Sequence, residues 1–283
     1  MIYYVLTDPH GFYAQMKKAL AEQGFFEQTE PCCVVVCGDV LDRGPQAVET
    51  VNFLLELARQ GKLIYIAGNH EDLLVDCLTE IAGASYWGYA RVGLHHMRNG
   101  TWDTLLQLSG MDDGYAGTHP RELVMAVRAT PFYRRLLPLA INYYETEKYV
   151  FCHGWLPTQN EDGRPVYRED WREADEHDWS VARWANGMQY ACRYGITEPG
   201  KTVVCGHFHT SYGHSVIDGK CSEWGESADF STYYAPGIIA LDGCCAYSGR
   251  INCIVLEDNP LSDEKKGDGS DVDQTLKDCT NAG

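Results

Sequence analysis

The sequence predicts an α/β fold built on a largely parallel sheet, and two observations carry that expectation. Short apolar runs of strand length alternate with helix-like stretches through the first third of the 283-residue chain. Such alternation reads as successive βαβ units. Each of the first three apolar runs also ends in a polar cluster: Asp8 and His10, then Asp39 and Asp42, then Asn69 and His70. Open α/β sheets bind ligands at the carboxyl ends of their strands, so these clusters are expected to converge.

Taken in order, Ile2–Thr7 reads as a strand and Phe12–Gln23 as a helix. Cys32–Cys37 is the second strand, followed by a helix over Pro45–Gln60 with proline near its start. Lys62–Ala67 is the third strand and Glu71–Ile81 the third helix. From Gly83 to about Arg135, aromatics, glycines and short helical stretches predict a helical insertion lying near the site. Strand character returns at Ala140–Tyr144, Lys148–Cys152, Thr202–Cys205, Gly237–Leu241 and Ile251–Leu256. The last two are expected to pair as a hairpin through Tyr247-Ser248-Gly249. Residues 1–257 thus form one domain, and 258–283, rich in Asp, Gly, Ser and Lys, read as a flexible acidic tail.

Composition narrows the function. The 40 acidic against 23 basic side chains leave a net charge of −17, which argues against non-specific nucleic-acid binding or an anionic membrane surface. The twelve cysteines include no CxxC pair, and several sit inside apolar runs, where a thiol packs as a small hydrophobe. With no basic-then-apolar leader and no apolar run of membrane-spanning length, the expected location is the cytoplasm.

Five segments carry chemistry: Asp8-Pro9-His10-Gly11, Gly38-Asp39-Val40-Leu41-Asp42-Arg43-Gly44, Gly68-Asn69-His70-Glu71, His153-Gly154 and Gly206-His207-Phe208-His209. Carboxylate, imidazole and amide oxygen together suit Mn, Fe or Zn better than Ca. One carboxylate can bridge two such cations, and a pair about 3.5–4 Å apart clamps a phosphate and acidifies a shared water. Singly, each string has a bland alternative: a turn, a helix start or a satisfied histidine. Their joint occurrence, each after an apolar strand, outweighs those alternatives.

These five strings resemble the calcineurin-like metallophosphoesterases, in the branch of Ser/Thr protein phosphatases, phage and bacterial phosphoprotein phosphatases and symmetric diadenosine tetraphosphatases. Further likeness lies in Arg98-Asn99-Gly100-Thr101-Trp102-Asp103-Thr104-Leu105, in Leu137-Pro138-Leu139 and in Leu241-Asp242-Gly243. The resemblance implies a four-layer α/β/β/α sandwich around two facing sheets. It assigns Asp8 and His10 to a first metal, Asp39 to the bridge, and Asn69, His153 and His207 to a second metal. His209 departs from this branch, and the wider superfamily implies a place on the first metal. The implied cofactor is a pair of divalent ions, with Mn favoured and Fe or Zn as alternatives. Arg43 would hold the phosphate and His70 would protonate the leaving oxygen, oriented by Asp42. Arg183 is the chosen second phosphate ligand, with Arg168 and Arg172 as rivals and a salt bridge as the competing role for each. Tyr247 either faces the substrate or is buried in the hairpin.

The implied activity is a phosphomonoesterase of the Ser/Thr protein phosphatase type using a metal-bridging hydroxide. The alternative is hydrolysis of a dinucleoside polyphosphate or other nucleotide, for which Tyr86, Trp87, Tyr89 and Trp102 of the insertion would stack on a base or form its own core. A non-catalytic binding module is the remote alternative, disfavoured because every ligand position is filled.

Overall fold

The computed structural model describes residues 1–84 and 88–261. Tyr86 and Trp87, and the tail from residue 262 on, lie outside the described residues. The first unit runs β1 (Ile2–Leu6), α1 (Tyr13–Glu22), β2 (Cys32–Cys37), α2 (Ala47–Arg59), β3 (Leu63–Ile66) and α3 (Asn69–Ala84). The insertion supplies α4 (Leu94–Asn99), α5 (Thr101–Ser109), α6 (Asp113–Thr118) and α7 (Pro120–Ala129). There follow β4 (Tyr144–Glu145), β5 (Tyr149–Phe151), β6 (Thr158–Glu161), β7 (Arg164–Tyr167), α8 (Glu176–Ala182), α9 (Gly187–Tyr194) and β8 (Thr202–Cys205). The chain closes with β9 (Tyr233–Ala235), β10 (Ile238–Ala240), α10 (Cys245–Ser248) and β11 (Cys253–Glu257).

The described residues form two large sheets, in the orders β11-β1-β2-β3 and β4-β5-β8-β10-β9, and a two-stranded β6-β7 sheet. The central strands are parallel, and antiparallel β11, β4 and β9 lie at sheet edges. The period-two alternation of strand side chains explains how they stack. On β1, Tyr3 and Val5 join Val35, Ile64, Phe151, Val204 and Ile239 in a core between the sheets. Tyr4 and Leu6 point the other way, into a core with Met16, Leu20, Val51 and Leu54 of the helices. Val150, Val203 and Ile238 likewise face Trp179 and Met188 on the outer side of the second sheet. Three apolar layers therefore separate four structural ones, the expected α/β/β/α sandwich. Each fully buried Val, Leu or Ile in these layers contributes about 1.5–3 kcal/mol.

Three expectations need correction. β10 and β11 do not form a hairpin: β10 pairs with β8 and β9, whereas β11 crosses to the other sheet and pairs with β1. The hairpin partner of β10 is β9, joined through Pro236-Gly237, where Gly237 takes φ +77°. Ala140–Tyr144 is a strand only at Tyr144, because residues 137–139 coil tightly and Ile141 makes a lone parallel bridge to Ile66. The boundary at 257 is early: Asp258 accepts the Lys148 N–H at 2.7 Å and Pro260 bridges to Thr146. The β6–β7 hairpin escaped notice although Asp162-Gly163, both at positive φ, is a strong two-residue turn signal.

Candidate metal centre

Every parallel strand delivers a polar side chain at its carboxyl end. Asp8 and His10 follow β1, Asp39 and Asp42 follow β2, and Asn69 and His70 open α3 after β3. From the second sheet, His153 follows β5, His207 follows β8 and Asp242 follows β10. All but half-buried His207 are buried. Asp8, His10, Asp39, Asp42, Arg43 and His207 all have φ between +46° and +72°. That conformation costs a side-chain-bearing residue of order 1–3 kcal/mol, so the surrounding fold holds these loops in shape against their preference.

Two groups of close ligand atoms share one residue. His10, Asp39 and His70 form one, and Asp39, His153 and His207 the other, with ligand atoms in each group within 4.8 Å of one another. Asp39 divides its carboxylate between them. Oδ2 lies 3.7 Å from His10 Nε2 and 3.8 Å from His70 Nε2, while Oδ1 lies 3.2 Å from His153 Nε2. Asn69 Oδ1 sits between His153 Nε2 at 2.9 Å and His207 Nδ1 at 2.8 Å. Outer partners fix the rings: His10 Nδ1 donates to the Leu41 carbonyl and His153 Nδ1 to that of Cys37, which turns each Nε2 inward. Asp8 enters the same pocket, its carboxylate accepting the His207 N–H at 3.0 Å. A side chain at Gly68 would collide with Asp39 Oδ1, and one at Gly206 with Asp8 Oδ2, so both close approaches require glycine.

Mutual charge and burial set the protonation states. Burial pushes the Asp8 carboxyl up to about 7. Burial also opposes charge on Asp39, but His153, His70 and His10 outweigh it and hold the carboxyl well below its usual range. Burial pulls His153 down, yet Asp39 overrides it and lifts the imidazole to about 10. His207, desolvated and next to charged His153, falls to about 3. These groups fit divalent cations: carboxylate, amide oxygen and imidazole turned inward around one shared carboxylate, with His153 giving up its inward proton when a cation binds.

His70 Nδ1 meets Asp42 Oδ2 at 2.7 Å, and the same oxygen accepts the Thr101 hydroxyl at 2.8 Å. Thr104 Oγ1 accepts the Asp42 N–H at 3.1 Å, so the insertion helix α5 braces this pair from behind. Burial lowers the His70 pKa, but Asp39 and Asp42 prevail and raise it. Exposed Arg43 lies over the cluster, Nη1 3.0 Å from His10 Nε2 and Nη2 3.1 Å from His70 Nε2.

Two expected residues are not brought to the cluster. His209 turns away: its Nδ1 pairs with Ser211 Oγ at 2.8 Å and its Nε2 faces Glu223 at 3.3 Å. Arg183 is held in the competing role, bonded to Asp72, Asn142 and Glu176. Arg168 and Arg172 are likewise held by carboxylates. Sequence reasoning also missed three supports. Glu71 accepts the N–H groups of Gly68, Asp39 and Val40 and so shapes two ligand loops at once. Asp242 is buried and electrostatically coupled to Asp8, Arg43 and Asp39. Thr101 carries the hydroxyl on Asp42. All three lie inside strings already singled out, Gly68–Glu71, Leu241–Gly243 and Arg98–Leu105, yet nothing in those strings specified their partners.

The calcineurin-like phosphoesterase family profile matches residues 1–211, the stretch that holds all of these ligand loops except that of Asp242. The chain belongs to the calcineurin-like phosphoesterases. Among curated proteins, this phosphoesterase is similar to the asymmetrical bis(5′-nucleosyl)-tetraphosphatase PrpE of Bacillus velezensis, 32% identical over 76 residues, 25% of this chain and 30% of the relative. The Bacillus subtilis PrpE is 30% identical over 76 residues, 25% of this chain and 31% of its own. The match thus spans about a third of the length of these curated relatives. Among solved structures, a protein serine/threonine phosphatase from Saccharomyces cerevisiae aligns with 93% of this chain and 82% of its own at 11% identity and TM-score 0.47. A metallophosphoesterase from Sphaerobacter thermophilus aligns with 91% and 88% at 13% identity and TM-score 0.41. No helix among the described residues of this phosphoesterase is long and apolar enough to cross a membrane.

Proposed function

We propose that this protein hydrolyses phosphate esters with two divalent cations, Mn²⁺ favoured, in the manner of a Ser/Thr-phosphatase-like phosphomonoesterase. The observation that carries this reading is Asp39, whose two carboxylate oxygens face separate histidine sets. Asp8, His10 and Asp39 would hold one ion, and Asp39, Asn69, His153 and His207 the other. When bound, the ions supply Lewis acidity for the phosphoryl oxygens and activate the attacking water.

The protein's own groups have distinct tasks. Arg43 Nη2 and His70 Nε2 face each other at 3.1 Å, and protonated His70 leaves both as donors without an acceptor. A phosphoryl oxygen arriving between them supplies that acceptor, and the guanidinium fork matches its geometry. His70, kept basic by Asp42 and Asp39, holds a proton at Nε2 for the leaving oxygen. His209 and Arg183 have no part in this assignment.

A second reading, hydrolysis of a dinucleoside polyphosphate at the same centre, is favoured by the likeness to the PrpE relatives, which are bis(5′-nucleosyl)-tetraphosphatases. Phosphate release from a phosphoseryl peptide and nucleotide release from diadenosine tetraphosphate, each measured with Mn²⁺, separate the two. Full turnover by Asp39→Asn on either substrate would end the two-cation reading.

A further inference from the structure

An exposed aromatic surface adjoins the cluster where His209 was expected to bind metal. Trp224 is 48% exposed and packs against the His209 ring, centroids 4.5 Å apart. Tyr247, 56% exposed, meets Trp224 edge-on at 5.2 Å, and Phe230 closes the underside at 6.0 Å. Lone exposed aromatics are ordinary on protein surfaces. This one is fastened in place. Ser211 Oγ donates to the Glu223 carbonyl at 2.8 Å, Ser222 Oγ to that of Trp224 at 2.8 Å, and the Gly225 N–H to Tyr247 Oη at 3.1 Å. His209, bonded to Ser211 and Glu223, serves as a prop for this loop.

The surface is continuous with the cluster through two routes. His209 stacks on Phe208, which adjoins His207. Tyr247 follows Cys244, which with Asp242 lies within electrostatic reach of Arg43. A half-exposed indole held in place and joined to the cluster through His209, Phe208 and His207 suits a ligand that carries a planar ring and a phosphate together. We propose that Trp224, edged by Tyr247 and supported by His209, is a stacking subsite for the nucleobase of a nucleoside polyphosphate. This rests on the two-cation phosphoesterase reading of the site and takes the second of its two substrate classes, the nucleoside polyphosphate.

The test compares binding of ADP with that of inorganic pyrophosphate to the Mn²⁺-loaded full chain by calorimetry, in wild type, Trp224→Ala, Trp224→Phe and Trp184→Ala. Base–aromatic stacking is strong enough that its loss costs about tenfold or more in affinity. The expected result is that Trp224→Ala weakens ADP at least about tenfold more than pyrophosphate, with most of the difference restored in Trp224→Phe. Trp184, 52% exposed and edge-on to His207 at 5.7 Å, is the rival indole. A selective loss in Trp184→Ala instead, or equal ADP and pyrophosphate affinities in wild type, overturns the subsite. Turnover of a phosphoseryl peptide and of diadenosine tetraphosphate by wild type, measured alongside, keeps the two failures apart: turnover of either without ADP preference sinks the subsite alone, and absence of turnover on both sinks the site reading.

Discussion

Two groups of buried and half-buried acids in this fold are finished in opposite ways. Glu145 and Glu198 are closed by the protein itself. Arg172 donates to both, Lys201 lies 2.8 Å from Glu145, and Glu198 also accepts from Tyr167 at 2.7 Å and Trp171 Nε1 at 2.8 Å. At the strand ends, Asp8, Asp39, Glu71 and Asp242 are buried together. The nearby guanidinium, Arg43, points at two histidines instead. A buried charge without a partner costs several kcal/mol, so a fold retains one only where something compensates it. The first group is compensated by covalently attached cations and is structural. The second is answered by imidazoles on Asp39, backbone N–H groups on Glu71 and burial that pushes Asp8 and Asp242 toward the neutral form, an arrangement that divalent cations from solution would complete.

The largest effect expected is on the bridge. Asp39→Asn should abolish turnover more completely than any other single change, read as phosphate release with Mn²⁺. His70→Asn should lower kcat by roughly 10²–10⁴, the usual worth of a general acid, while leaving metal content intact. Thr101→Val removes the second hydrogen bond to Asp42 and should cost about 10–100-fold in kcat, as losses behind an active group commonly do. An unchanged rate would mean that α5 merely packs there.

The smallest effect falls on the other acid group. Arg172→Ala should leave metal content alone and destabilise the fold by roughly 1–3 kcal/mol in urea unfolding, less than a fully buried pair because Arg172 is partly exposed. Its pH dependence sharpens the contrast. Burial alone would raise the Glu145 carboxyl, but Arg172 and Lys201 overcome it and hold it below its ordinary value. A depressed folded pKa adds stability that is present above the ordinary carboxylate pKa and is lost as pH falls through the folded value. Arg172→Ala should therefore flatten the loss of stability on acidification.

The comparison also explains what was legible beforehand. Candidate ligands such as Asp8, Asp39, Asn69 and His153 sit in short strings directly after strands, where the fold class alone dictates convergence. Partners drawn from distant elements leave no such mark. Nothing around His209 announces Glu223, and nothing around Arg183 announces Asp72, 111 residues earlier. Arg183 and Arg43 look alike as residue types; only the position of the carboxylates separates a structural guanidinium from one free to meet a phosphate. The crossing of β11 to the other sheet was hidden for the same reason, because its pairing with β1 spans nearly the whole described chain.

Ion stoichiometry tests the shared-carboxylate centre most directly. Mn²⁺-loaded protein, freed of excess ion and measured by elemental analysis, should hold two ions per chain, and Asp39→Asn should hold fewer. A wild-type chain that retains one ion or none, or an Asp39→Asn chain that still retains two, would contradict the account.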